Sequence, residues 1–140
     1  MAEQSYIFDF HRSPRFFYEW NNSFKVVDMQ STTANFQIVY CSQAPPNIED
    51  CLVNNSTLDT NAVTILQSVD VNLVFNDGVI SVGADATWNI GDTVQDLKAV
   101  FIRHKNTGFV MGYSINTVAF EVTNKIKLEK DTILWSIVDG

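Results

Sequence analysis

Residues 97–138 read LKAVFIRHKNTGFVMGYSINTVAFEVTNKIKLEKDTILWSIV, and their pattern is the clearest indication of the fold class. Apolar and polar residues alternate along most of this stretch, and short polar segments such as 104–108 interrupt the alternation. A period of two is typical of half-buried β-strands, and the interruptions are typical of turns. The stretch therefore predicts five short antiparallel strands. The first, at 97–102, is apolar on both faces and should be covered on both sides, with Leu97, Ala99 and Phe101 on one face.

The same pattern continues upstream of this stretch. Segments at 24–29, 35–41, 69–75, 79–82 and 86–90 predict further strands, and Asn-Asp-Gly at 76–78 predicts a tight hairpin turn. Further turns are predicted at Gly91-Asp92 and, within the first stretch, at Asn116. About nine or ten predicted strands then follow one another at a spacing of roughly 8–12 residues, which is typical of antiparallel sandwiches. The predicted fold is all-β: an antiparallel β-sandwich, jelly-roll or immunoglobulin-like, with an extended aromatic N-terminal arm.

Composition bounds the class of protein. The chain has 140 residues, of which 46% are hydrophobic and 18% charged, and its formal net charge is −7. A chain of this size and apolar content is expected to form one core, and its acidic charge disfavours binding to phosphate backbones. No apolar run approaches the roughly 18 residues of a membrane span, and no secretory leader is evident at the start. We therefore expect neither nucleic-acid nor membrane binding, and synthesis in a cytoplasm.

Aromatic residues concentrate near the N-terminus, where seven of the seventeen lie between residues 6 and 20. One interpretation is a first strand with an aromatic corner of the core; the other is an arm, residues 1–23, that docks on a neighbouring subunit while residues 24–140 form the domain. Aromatic side chains often dominate protein interfaces, and extended segments can add to a sheet edge. The predicted partner-binding residues of the arm are Tyr6, Phe8, Phe10, Arg12, Phe16, Phe17, Tyr18 and Trp20.

The segment 42–60 is rich in proline, asparagine and small polar residues, and it predicts a long surface loop available for function. Asp59 or Thr60 could cap a short helix that runs to Gln67, and the β-branched residues of this segment fit a strand nearly as well. Cys41 and Cys51 flank the proline pair. They could form one disulfide, but free thiols in a reducing compartment are favoured.

No catalytic or metal-binding motif is present. His11 and His104 are the only histidines, neither follows a nucleophile motif, and His104 is predicted to be a solvated turn residue. Four aspartates near strand ends could offer oxygen ligands to calcium, although turn chemistry explains them as well; they are Asp70, Asp77, Asp85 and Asp92. We therefore predict a non-enzymatic protein with no catalytic residues, cofactor or metal.

The C-terminal part resembles small β-rich structural proteins of tailed bacteriophages. The resemblance lies in the apolar strand 97–102, Gly108, Gly112-Tyr113, the strand 118–122 and the closing segment 133–137. Thr132 stands where the pattern usually has glycine. The similarity covers about 50 residues and carries no catalytic residue.

This resemblance implies a virion component located in the capsid. The expected function is that of a decoration or cement protein that binds the major capsid protein and stabilises the head, as a homo-oligomer. A tail or neck (head-to-tail) protein is the first alternative. A jelly-roll module that binds a ligand or glycan is the second, and it would need an exposed tryptophan among Trp20, Trp88 and Trp135; the last two are expected in the core.

Overall fold

The computed structural model describes residues 9–16, 34–76 and 78–136. The strand predicted at 24–29, Trp20 and the domain boundary predicted at residue 23 lie outside these ranges. A single 3-10 helix, Ile48–Cys51, is accompanied in the described ranges by ten strands. These strands are β1 (His11–Arg12), β2 (Phe36–Gln43), β3 (Leu52–Val53), β4 (Thr57–Leu58), β5 (Thr64–Val71), β6 (Leu73–Asn76), β7 (Val79–Val82), β8 (Ala86–His104), β9 (Val110–Leu128) and β10 (Ile133–Ser136).

Two antiparallel sheets pack face to face. The larger has the order β1-β9-β8-β2-β5 and the smaller the order β10-β7-β6, while β3 and β4 form a separate hairpin. One apolar core joins side chains of both sheets, such as Ile38 and Ile102 from the larger sheet and Leu73 and Ile80 from the smaller. The predicted all-β antiparallel sandwich is confirmed.

The strands of the C-terminal half are fewer and longer than predicted. β8 and β9 each run for 19 residues and pair with each other along their length, where the sequence predicted short strands separated by turns at Gly91 and Asn116. Gly91 has a φ of 83° and Asn124, its partner in the ladder, a φ of 67°. Both residues therefore adopt a left-handed backbone conformation within a bulge, and the two strands continue past them instead of turning back.

A bulge also changes which side chains share a face. Leu97 lies in the core between the sheets together with Val100 and Ile102, whereas Ala99 and Phe101 face the opposite side. The register shifts between Leu97 and Ala99, so the simple alternation that placed these two residues together is wrong. The prediction that this strand is covered on both sides is confirmed, because all five residues are fully buried.

The segment predicted as a surface loop covers the second face of the larger sheet. The 3-10 helix and the β3–β4 hairpin bring Ile48, Leu52 and Leu58 onto Val39 and Phe101. The turn between β3 and β4 is made by Asn54 and Asn55, both with positive φ, a conformation that asparagine tolerates well. Residues 44–63, hereafter the cap, therefore contribute buried apolar side chains to this second core, while Glu49, Val53 and other residues of the cap stay exposed. Of the two structures considered for residues 59–67, the strand is the one observed, and it begins at Thr64.

Asn35 ties the two sheets together just before β2. Its side-chain amide donates to the Leu73 carbonyl oxygen at 3.0 Å, and the Leu73 backbone N–H donates to Asn35 Oδ1 at 2.9 Å. Both residues are buried. The side chain thus supplies the donor and acceptor that a neighbouring strand would give to the start of β6.

Replacing Asn35 with alanine should destabilise the fold by about 2–3 kcal/mol, because a buried N–H and a buried C=O lose their partner. The exposed Asn89 on β8 is the matched control, and its change to alanine should stay within about 0.5 kcal/mol. Urea unfolding of both variants measures the difference. Equal stabilities would show that Asn35 does not bridge the sheets.

Within the described ranges, none of the helical structure has the length and apolar character needed to cross a bilayer.

Candidate functional site

The described part of the predicted arm is folded onto the domain. β1 pairs antiparallel with β9 at the edge of the larger sheet, His11 opposite Tyr113 and Arg12 opposite Gly112. The Ser13 backbone N–H extends this edge by donating to the Met111 carbonyl at 3.0 Å. Residues 9–16 therefore add a strand to the sheet of their own chain.

Two of the predicted partner-binding aromatics are buried in this arrangement. Phe10 and Phe16 both lie in the core between the sheets, and Phe16 is 1% exposed. Phe16 meets the Trp135 ring edge-to-face with 5.2 Å between centroids, and Trp135 Nε1 donates to the Phe10 carbonyl at 3.0 Å. These two side chains are occupied by their own core, as the first-strand interpretation expects.

Arg12 is the predicted arm residue that the structure leaves at the surface. Its guanidinium carbon lies 5.6 Å from the centroid of the Phe16 ring, and its Nη2 donates to the Ser136 carbonyl at 2.9 Å. Arg12 thereby clamps β1 against β10, across the two sheets. The other predicted arm residues lie outside the described ranges; they are Tyr6, Phe8, Phe17, Tyr18 and Trp20.

The two cysteines are free thiols in the core beneath the cap. Burial raises the pKa of the Cys41 thiol to about 12, and repulsion from Cys51 adds to the effect while Arg103 opposes it. Burial, followed by the nearby carboxylates of Asp50 and Glu49, raises the pKa of the Cys51 thiol to about 11. Neither thiol is prepared to act as a nucleophile near neutral pH, since the thiolate is the reactive form.

These thiols should make the fold less stable at alkaline pH. Below a pH of about 9, the ordinary pKa, they are protonated in both states. Between about 9 and 12 the unfolded chain releases protons that the folded chain retains, so the free energy of unfolding falls as pH rises. Urea midpoints below and within this window should show a shallower fall for a Cys41→Ala/Cys51→Ala variant than for the wild type. An identical slope would contradict the assignment.

His104 is buried, and its prediction as a solvated turn residue is wrong. It is 2% exposed, its ring meets the Phe36 ring edge-to-face at 5.2 Å, and Nδ1 lies 2.8 Å from Thr107 Oγ1. The reason is that β8 continues through His104 and pairs it with Phe36, so the turn begins one residue later. His11 remains at the surface beside Tyr113, with 5.6 Å between ring centroids.

The described aspartates named as candidate calcium ligands lie apart from one another. Asp70 on β5 accepts hydrogen bonds from Lys105 and Gln37, which lower the pKa of its carboxyl group. Asp85 accepts from the Lys130 backbone N–H at 2.7 Å and so fixes the turn before β10. Asp77 is outside the described ranges. In the part of the chain that the structure describes, no three histidine, cysteine or acidic residues gather where a metal ion could bind.

The middle of the β8–β9 hairpin forms an exposed surface, which we call the ribbon surface and define by residues 92–96 and 117–121. Residues 92–94 of β8 and 116–119 of β9 have no partner in the β8–β9 ladder, so each segment forms a bulge. Three paired rungs of the ladder lie between the two bulges. Val94 is 53% exposed and Val118 is 74% exposed. Leu97 and Val122, which belong to the same rungs, are fully buried in the core between the sheets. The opposite face of the ribbon is therefore held by core packing.

The central rung of this surface places like charges opposite each other. Asp96 pairs with Glu121, and both side chains are exposed. Neither carboxylate has an ion-pair partner in the described structure, and the nearby Lys98 donates to the Thr117 carbonyl at 2.6 Å instead. Directly opposed like charges destabilise a β-ladder by a few tenths of a kcal/mol to about 1 kcal/mol.

Sequence reasoning missed the ribbon surface because it depends on register. The alternation at 118–122 predicted a one-sided strand with Val118, Phe120 and Val122 on its apolar face; Val122 is buried, but Val118 lies in the bulge and is exposed. The turn predicted at Gly91 hid the continuity of β8. Only the pairing of 95–97 with 120–122 brings Asp96 and Glu121 together.

Comparison with known proteins gives no match: no protein-family model, no curated protein and no solved structure matches the chain.

Proposed function

We propose that the chain is a non-enzymatic structural protein of a virion that binds other protein subunits, with the capsid head as its location and the major capsid protein as its partner. The observation that carries the proposal is the position of the exposed apolar side chains. Five large apolar residues of the described structure are exposed, and all of them lie on strands: Val53, Ile65, Val94, Val118 and Ile133.

The position of these strands favours protein contacts. β5 is the last strand of the larger sheet and β10 an outer strand of the smaller sheet among the described strands, and they carry Ile65 and Ile133. Edge strands with exposed apolar residues invite pairing with another chain unless something covers them. In a virion, neighbouring subunits would provide that cover.

The placement of the reactive groups supports a structural role. Cys41, Cys51 and His104 are buried in apolar packing, and each has a clear role in holding the sheet to the cap or to the 105–109 turn. Trp88 and Trp135 are also buried, as predicted, so neither offers an exposed ring on which a sugar could stack, and Trp20 lies outside the described ranges. These features favour subunit binding over the glycan-binding alternative.

The proposal is tested by incubating the purified full-length protein with virion heads assembled without it and, separately, with isolated tails. Saturable cosedimentation with heads is the expected result. Cosedimentation with tails alone would place the protein in the tail or neck, and binding to neither would contradict the proposal. Light scattering of the free protein reports its oligomeric state, and a closed symmetric oligomer is expected.

A further inference from the structure

The geometry points to the ribbon surface as a docking site for an extended segment of a partner protein that carries one basic side chain flanked by apolar ones. The inference rests on the proposed function only in taking the occupant to be a protein. It names the chemistry of that occupant from the described residues of β8 and β9.

The ribbon surface carries an unneutralised pair of negative charges. Asp96 and Glu121 lie on one rung, exposed and without an ion pair to any described residue, although this arrangement costs stability in the free protein. An arginine or lysine of a partner would neutralise both carboxylates at once, and arginine could bridge them with its forked donors. A feature that breaks a local rule of sheet pairing is expected at functional sites.

Two exposed valines border this pair of carboxylates. Val94 lies one residue before the rung formed by Gln95 and Val122, and Val118 lies two residues before Phe120 on the last of the three rungs. The two valines therefore lie beyond opposite ends of the three rungs, at most about 16 Å apart along the strands at roughly 3.3 Å per residue. An extended segment points alternate side chains to one face, so a basic residue with an apolar residue two positions before it and another two positions after it covers about 13 Å and presents all three side chains to this surface.

The edge of β8 next to the ribbon surface has no strand partner among the described strands. β2 pairs with β8 only from Ala99 to His104, so residues 86–98 have β9 as their single strand neighbour among the described strands. A partner in extended conformation can pair its backbone with such an edge, while its side chains contact the ribbon surface. The bulge at 92–94 limits this pairing to a few residues, which suits a short segment.

The test uses the full-length protein and two short soluble peptides, one with a valine two positions before and two positions after an arginine, and one with glutamate in place of that arginine. We expect the arginine peptide to bind and to shift amide resonances of residues 92–98 and 117–122, and the glutamate peptide not to bind. Asp96→Asn or Glu121→Gln should each weaken binding about threefold to fivefold, and salt should weaken it further. The matched control is Glu49→Gln on the cap, which should leave binding unchanged.

A second readout separates a docking site from a structural role. Asp96→Asn and Glu121→Gln should raise the Tm of the free protein by about 1–3 °C, because each removes the repulsion across the rung. A gain in stability with a loss of binding is the expected signature. Unchanged binding in both variants, or equal binding of the two peptides, would overturn the inference.

Two other occupants would appear as distinct outcomes that also overturn it. Calcium alone raising the Tm of the wild type, but not of Asp96→Asn, would assign the carboxylates to a cation. Concentration-dependent dimerisation lost in Val118→Ser would assign the surface to a second copy of the chain. Binding of the arginine peptide by a protein that is absent from virions would leave this inference standing and would contradict only the proposed function.

Discussion

Phe16→Ala should be among the most destabilising single substitutions in the chain, with a loss of about 3–5 kcal/mol. Phe16 is 1% exposed, packs edge-to-face on Trp135 and lies beneath the Arg12 guanidinium. Its removal opens a cavity between the sheets at the point where the N-terminal segment docks. Because single domains are stable by only about 5–15 kcal/mol, this loss should be visible as a large fall in the urea midpoint.

The matched control is Val118→Ala, which truncates an apolar side chain that is 74% exposed and should change stability by less than about 0.5 kcal/mol. If Phe16→Ala were as stable as this control, residues 9–16 would be a detachable arm. Because Phe10 and Phe16 belong to the core, deleting residues 1–20 should also damage the fold itself. Such a deletion therefore cannot test binding by the arm separately from folding.

Gly112→Ala should also cost about 3 kcal/mol or more, because it overfills the contact between the two sheets. A Cβ built on Gly112 would overlap Trp135 Cζ2, lie 2.6 Å from Cη2 and lie 3.1 Å from the His11 carbonyl oxygen. The Trp135 ring is held in place by its hydrogen bond to Phe10, so it cannot move aside without losing that bond. Thermal unfolding of the variant measures the effect.

Two further variants show whether steric overlap is the cause. Gly91→Ala changes the same residue type on the same hairpin, but its Cβ would meet nothing within 4 Å, so only the strain of a φ of 83° remains, about 1–2 kcal/mol. Trp135→Phe removes the overlapping ring atoms. The double variant Gly112→Ala/Trp135→Phe should therefore lose less stability than the sum of its parts, and strict additivity would refute the steric account.

The all-β class and most strand positions follow from local alternation, which the sequence displays openly. Trp88 and Trp135 were assigned to the core because they share a face with other apolar residues, and both are buried. The hairpin at 76–78 was predicted from Asp-Gly, and β6 and β7 indeed pair on either side of it.

The errors arise where a local signal has two physical outcomes. Gly91 permits a left-handed residue, which serves a turn or a bulge equally, and only the continued pairing of β8 with β9 selects the bulge. The polar neighbours of His104 suggested solvent, but its pairing with Phe36 buries it. The apolar residues of the cap show no strand or helix period, which predicts a loop. In the structure they pack on the sheet one at a time.

The aromatic N-terminal segment shows why candidate sites are harder to predict than folds. Phe10 and Phe16 have the composition expected of an interface, and the same composition suits a core. Whether such residues form an interface or a core depends on whether the same chain offers a sheet edge with which the segment can pair. β9 provides this edge, and Arg12 pairs with Gly112 on it. The ribbon surface was missed for the opposite reason: its residues are ordinary surface types until register brings them together.

The two proposals fit one architecture. The larger sheet has one face on the smaller sheet and the other under the cap, so its faces are taken up by the chain itself. In the proposed function, contacts with other subunits would be made by strand edges and by the β8–β9 ribbon, where the exposed valines and the opposed carboxylates lie.

Quantitative mass spectrometry of gradient-purified, nuclease-treated virions would show directly whether this chain is a virion subunit. We expect the chain in a fixed molar ratio to the major capsid protein across independent preparations, and we expect the ratio to persist through high-salt washing of intact particles. A chain found in the infected-cell lysate but absent from purified particles would contradict the proposed function.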